Sequence, residues 1–161
     1  VHLIYSTNDL NKKEIILKLE RYCSFSEKCK SDVIKKLYDW KVFNNHNEII
    51  NHLITNNYIN EERYALQYCR GKFNSRSWGK IKIGNHLHQK GIDKNIILKS
   101  FLEIEDSDYI KKISDLILNK SKAIKEEDIF KRKSKIARFL YQKGFETELI
   151  WQQIEKKLKN D

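Results

Sequence analysis

Cys23, Cys29, His46 and His52 are of the types that bind metals. Structural zinc wants four such ligands in a compact pattern, and these spacings match no finger or knuckle. No metal site is expected. His86 and His88 stand two apart. On a helix that spacing points them to different faces, which suits surface or interface residues better than a ligand pair. Gly79-Lys80 ends like a phosphate-binding loop, but the upstream glycine is missing and Ile81 follows where the loop needs Ser or Thr. Carboxylates are scattered singly, with no pair placed for acid–base work. Neither a catalytic group nor a cofactor cradle is offered, so a binding protein and not an enzyme is expected.

The chemistry on offer is charge. From Arg63 to Ile92 there is no acid, but there are Arg63, Arg70, Lys72, Arg76, Lys80, Lys82 and Lys90. From Ile129 to Phe145 the same holds, with Lys131, Arg132, Lys133, Lys135, Arg138 and Lys143. Soluble helices normally intersperse both signs. Two acid-free helices suggest a basic face for DNA phosphate or for an acidic protein groove, against the alternative of plain solvated surface. At single positions other roles compete. Lys90 and Lys143 suit the ends of helix dipoles. Arg63 is placed to pair with a nearby carboxylate. Lys82 and Lys135 suit stems lying along apolar surface. Among the interleaved aromatics, Tyr64 and Tyr68 are four apart and read as core. Trp78 is open to either role, and Trp40 and Trp151 read as packing residues.

These residues must be carried by helices. Apolar positions recur at three- and four-residue spacing, as in Val33, Leu37 and Trp40, or Ile110, Ile113 and Ile117. That is the helical period and not strand alternation. Asn60 before Glu61 and Glu62, then Ser77, Asp93, and Asp106 or Ser107, read as helix starts, and Glu126, Glu127 and Asp128 load one more first turn. Gly91 and Gly144 read as structural, left-handed helix-end glycines. The spacing predicts nine helices at about 8–23, 27–40, 44–56, 60–75, 77–90, 93–104, 107–123, 126–143 and 146–159.

The chain repeats itself. Lys82-Ile83-x-x-x-Leu87-x-Gln89-Lys90-Gly91-Ile92 returns as Lys135-Ile136-x-x-x-Leu140-x-Gln142-Lys143-Gly144-Phe145. A fainter copy, Val33-x-x-x-Leu37-x-x-Trp40-Lys41-Val42, lacks the glycine. The expected fold is all-α: three tandem three-helix repeats at 8–56, 57–105 and 106–159, stacked into an elongated, curved array.

Composition bounds the rest. The 161 residues carry a net charge of +10, with 5 Gly and no Pro. A basic balance attracts polyanions, although a lysine-, isoleucine- and asparagine-rich composition also follows from AT-rich coding. Three cysteines in no framework spacing argue against a disulfide-stapled secreted domain. No apolar run is long enough to span a membrane. Residues 1–10 show no basic region followed by an apolar stretch, so no signal peptide and a cytoplasmic location are expected.

The run Asn57-Tyr58-Ile59-Asn60-Glu61-Glu62-Arg63-Tyr64-Ala65, then Tyr68-Cys69-Arg70, Trp78-Gly79-Lys80, Ile83, Leu87 and Lys90-Gly91-Ile92, resembles the RecX family of recombinase regulators. Asn57 stands where that pattern commonly has Gly, Tyr64 replaces Phe, and Trp40-Lys41 replaces Lys-Gly in the first repeat. A monomer is expected, since no long heptad seam suggests a coiled-coil dimer, and the resemblance implies a cytoplasmic protein that binds RecA and the RecA–single-stranded DNA filament. It implies inhibition of recombinase, ATPase and coprotease activity in DNA repair, recombination and the SOS response. Direct contact with single- or double-stranded DNA is a further expectation. The bottom-up rival is a sequence-independent nucleic-acid-binding helical protein with no filament target. The residues expected at the RecA or DNA interface are Arg63, Arg70, Lys72, Arg76, Lys80, Lys82, Lys131, Arg132, Lys133, Lys135 and Arg138.

Overall fold

A computed structural model describes the backbone over residues 7–158 and side chains over 11–158. The leader reading at residues 1–10 and the last residue of the third expected repeat fall outside the side chains so described. Among the described residues there are nine α-helices: α1 (Thr7–Phe25), α2 (Lys30–Asp39), α3 (His46–Thr55), α4 (Glu61–Arg76), α5 (Lys80–Gln89), α6 (Lys94–Ser100), α7 (Asp106–Ala123), α8 (Ile129–Gln142) and α9 (Thr147–Lys157). A short 3-10 turn, Phe101–Glu103, follows α6. None of these helices is long and apolar enough to cross a membrane.

The helices pack in consecutive threes: α1 and α2 on α3, α4 to α6 on one another, and α7 to α9 on one another. The apolar stripes read from the sequence are the buried ones. Val33 and Leu37, Ile83 and Leu87, and Ile136 and Leu140 are all 0% exposed. They merge into two cores. One holds Leu19, Val33, Leu37, Ile49 and Leu53 of the first three helices. The other runs unbroken through the remaining six, from Tyr64 to Ile154, and takes in Cys29 from the start of α2.

Caps decide where helices begin. Asn60, Asp93 and Asp128 each accept a hydrogen bond from a backbone N–H of the first turn, at 2.9, 2.8 and 2.8 Å. The acids at 126 and 127 precede the helix, whose cap is Asp128. Ser77 is not the start of α5. It closes α4 in a left-handed conformation, and Gly79 stands at the cap of α5.

The second helix of each set ends in the same way. In α5 the Ile92 amide reaches the Leu87 carbonyl, and the Gly91 amide reaches His88. Phe145 to Leu140 with Gly144 to Tyr141, and Val42 to Leu37 with Lys41 to Tyr38, make the same pair of bonds. This is a Schellman ending, which needs a positive φ at its turning residue. Gly91 (φ 79°) and Gly144 (φ 89°) supply it freely, and Lys41 (φ 58°) holds it with a side chain. Asn57 takes the same conformation (φ 59°) after α3.

Candidate functional site

The second helices of successive sets stack end to end. The Gly79 amide donates to the Lys143 carbonyl at 2.8 Å, and the Ile81 amide to the Gly144 carbonyl at 3.1 Å. A Cβ on Gly79 would fall 2.2 Å from the Gly144 oxygen, and one on Gly144 2.2 Å from the Lys82 Cβ. Only glycine at both places allows the backbones this close. The Tyr109 hydroxyl sits inside the same joint. It accepts from the Lys80 amide at 2.9 Å and donates to Glu146 at 2.7 Å. Burial first, and then that hydrogen bond to Glu146, push its ionisation far above the usual tyrosine range.

The corresponding joint, where the start of α2 meets α4 and the end of α5, is made by side chains. Asp32 accepts from Lys90 at 2.6 Å, Glu27 pairs with Arg63, and Lys30 lies 3.7 Å from Glu61. Burial raises the Asp32 carboxyl, but hydrogen bonds from Lys90 and from Cys29 outweigh it and leave its pKa lowered. Burial depresses Lys90, and its bond to Asp32 reverses this, so its pKa is raised. A built Cβ on Gly91 meets nothing within 4 Å, so no close backbone approach exists here.

The eleven basic residues separate into three groups. Several are structural ties. Arg63 also holds Asn57, through its side-chain and backbone oxygens at 3.1 Å each. Lys80 lies 3.7 Å from Asp106 and 4.7 Å from the Tyr109 ring centre. The Lys82 ammonium donates to the Gln142 carbonyl at 3.2 Å and sits over Trp78 at 4.7 Å. Arg132 donates to the Ser121 carbonyl at the end of α7, at 2.7 Å. A second group pairs with surface acids: Arg70 with Glu103, Lys133 with Glu155, and Lys135 with Glu126. Arg76, Lys131 and Arg138 are exposed and make no ion pair among the described residues. Lys72 is also without an acid, its ammonium 5.2 Å from the rings of both Tyr68 and Trp78. Arg138 shares one face of α8 with the exposed aromatics Phe130 and Tyr141.

The aromatic readings resolve similarly. Tyr64 is 7% exposed and stacked on Tyr68 at 5.9 Å, and Trp40, Tyr68 and Trp151 are half-buried packing residues. Trp78 also packs on the core and meets His86 at 4.6 Å. His88 is exposed. Cys23 and Cys29 enter different cores, while His46 contacts the Val42 carbonyl and His52 contacts Glu20.

Sequence reasoning passed over Tyr22, Lys28 and Gly71. They line an open cleft of about 620 Å³ between the first and second helix sets, together with Tyr68, Lys72 and Lys90. One signal was present: Gly71 interrupts an otherwise helical pattern.

The fold thus defines an all-α protein of tandem three-helix repeats with basic surface. Comparison with known proteins narrows this. The model of the RecX second three-helix domain matches residues 60–99, and that of the RecX third three-helix domain matches 107–154. Together they account for more than half of the chain, and the chain belongs to the RecX family. The Regulatory protein RecX of Bacillus cereus (strain G9842) is 30% identical over 103 residues, 64% of this chain and 38% of that protein. That of Bacillus anthracis (strain A0248) is 29% identical over the same length. The chain spans less than two fifths of the length of these curated relatives. RecX from Lactobacillus salivarius superposes with a TM-score of 0.80 at 26% identity, over 91% of this chain and 96% of that one. A second structure, of a regulatory protein RecX, gives 0.82 at 22% identity over 89% and 73%, a likeness of fold.

Proposed function

We propose that this protein is a non-catalytic regulator that binds RecA and the RecA–single-stranded DNA filament and lowers recombinase, ATPase and coprotease activity. It would act as a cytoplasmic monomer in DNA repair, recombination and the SOS response. The observation that carries this reading is the match to RecX from Lactobacillus salivarius along nearly the whole of both chains. The physical form agrees. An elongated row of units suits a long groove and contact with more than one protomer. Arg76, Lys131, Arg138 and Lys72 supply cations that make no ion pair among the described residues.

The same free cations favour a second reading, sequence-independent binding to single- or double-stranded DNA with no filament target. ATP hydrolysis by the cognate RecA on single-stranded DNA, with this protein titrated in, separates the two. Hydrolysis lost well below stoichiometry with RecA, with weak binding to the bare DNA, supports the filament regulator. Hydrolysis lost only when bare DNA is saturated makes it a competitor for lattice and overturns the first reading.

A further inference from the structure

The cleft between the first and second helix sets has a composition of its own. Tyr64, Gln67, Tyr68, Gly71, Lys72 and Ser75 all line it. They follow the three- and four-residue spacing of one helix face, so a whole side of α4 gives onto it. Its volume, about 620 Å³, lies within the range of ligand sites, roughly 300–1,000 Å³.

The charges in the cleft are spent unevenly. Both acids are in ion pairs, Asp32 with Lys90 and Glu27 with Arg63, although the second Glu27 oxygen is buried without a hydrogen-bond partner. Lys28 and Lys72 make no ion pair among the described residues. Each lies against a half-buried aromatic ring: Lys28 is 4.7 Å from the Tyr22 ring centre, which Lys36 also approaches at 5.4 Å, and Lys72 is 5.2 Å from that of Tyr68, which stacks on Tyr64. The unclaimed charge is therefore positive and sits beside flat rings. That is the combination that holds a nucleotide, with base on ring and phosphate on cation.

Gly71 adds an independent observation. It stands inside α4, where glycine is the least favourable residue after proline. Nothing lies within 4 Å of the place its Cβ would take, so no packed neighbour explains it. On the cleft face, a missing side chain opens the helix backbone to close approach.

We propose that this cleft is a nucleotide-binding site, in which a base stacks on Tyr22 or Tyr68, a phosphate is held by Lys28 and Lys72, and the sugar–phosphate chain passes over Gly71. A free nucleotide and a nucleotide within a single strand share this chemistry. The site goes beyond the filament reading, and its test needs no recombinase.

The test is fluorescence anisotropy of a short labelled oligothymidylate with the full chain, alongside the melting temperature of each variant. Tyr22→Leu and Tyr68→Leu should each weaken binding about tenfold, the usual order for one lost stack. Lys28→Gln with Lys72→Gln should reduce the slope of log affinity against log salt by about 0.7, the value for one phosphate on a single strand. Gly71→Ala and Gly71→Leu should raise the melting temperature, because both are better helix formers, and Gly71→Leu should weaken binding at least tenfold. A variant that is more stable yet binds worse cannot be explained by unfolding. Unlabelled thymidine monophosphate that displaces the strand identifies free nucleotide as a ligand, and failure to displace identifies the strand; either supports the site. Wild-type affinity in Gly71→Leu and both tyrosine variants would overturn it. So would competition by polyglutamate equal to that by oligothymidylate, which would leave a charge-only surface. Retained control of RecA by Gly71→Leu would leave the filament reading standing whichever way the cleft is decided.

Discussion

The amide of Gly79 donates to the carbonyl of Lys143, so the open start of α5 is closed by the open end of α8. A helix leaves donors unsatisfied at its start and acceptors unsatisfied at its end. The two helices satisfy each other, and their dipoles run head to tail. Gly79 has no side chain with which to cap α5. The neighbouring repeat supplies the cap.

The glycines of this family pattern should therefore differ in their tolerance of a methyl group. Gly91→Ala should cost about 1–2 kcal/mol, the strain of a left-handed alanine alone. Gly144→Ala carries the same strain and also drives a Cβ into Lys82, so it should cost clearly more. Gly79→Ala has no φ strain, yet should cost about 2 kcal/mol or more through its collision with the Gly144 carbonyl. Urea midpoints of the three variants give the order; equal losses would mean that the joint is not backbone-tight.

Tyr109→Phe removes a buried hydroxyl that serves both sides of this joint. The Lys80 amide and Glu146 lose their partner together. A loss of about 1–3 kcal/mol is expected from thermal or urea unfolding, with the helical content unchanged.

Lys41 does the work of a glycine in the first repeat, at φ 58°. Lys41→Gly should stabilise the chain by about 0.5–1 kcal/mol, since the relieved strain exceeds the added freedom of the unfolded chain. A rise in the melting temperature reads this out, and a fall would assign Lys41 a contact beyond its backbone.

Asp32 carries a pH dependence. Its folded pKa is lowered on balance, with burial opposing and the bonds from Lys90 and Cys29 prevailing. A depressed acid stabilises the fold above its unfolded value, about 3.9, and that contribution is lost as pH falls through the folded pKa. Stability measured by urea between about pH 5 and pH 2 should show this slope, and Asp32→Asn should flatten it. Lys90 gives the opposite limb: its raised pKa makes a contribution lost as pH rises past the usual lysine range.

Charge reversal at Arg76, Lys131 and Arg138 should weaken binding to a DNA-bound partner and reduce its salt dependence by roughly one slope unit for each phosphate lost. Their stability should change by less than about 0.5 kcal/mol. Lys82→Glu should behave differently. It would set a carboxylate against the Gln142 carbonyl, so the fold and the joint suffer before any interface does. Lys135→Glu, which breaks one exposed pair with Glu126, should cost under about 1 kcal/mol.

Helices, caps and the repeat were legible because each is local. Asn60, Asp93, Gly91 and Gly144 act within a turn of their own helix, and the spacing of Ile83 and Leu87 is enough to name their buried face. What lay beyond reach was long-range. Lys82 reads from its neighbours as an interface cation or a stem lying along apolar surface, yet its partner Gln142 belongs to the next repeat. Arg132 and Lys131 are adjacent in sequence, but Arg132 ties down the end of α7 while Lys131 makes no ion pair among the described residues. An acid-free stretch records only that no acid is near along the chain; Glu27, Glu103 and Glu155 come from elsewhere. The cleft was hidden for the same reason, since Tyr22 of α1 and Tyr68 of α4 line it from elements far apart in the chain.

The two joints also make the molecule mechanically uneven. The second and third repeats share a core and backbone bonds, and they form a single stiff beam. The first repeat has its own core, and is spliced on through Asp32–Lys90, Glu27–Arg63 and the Cys29 plug. Under load the beam holds its shape and the splice yields. Any bending of the protein along a curved partner is then concentrated at that splice, whose ion pairs weaken as the ionic strength rises.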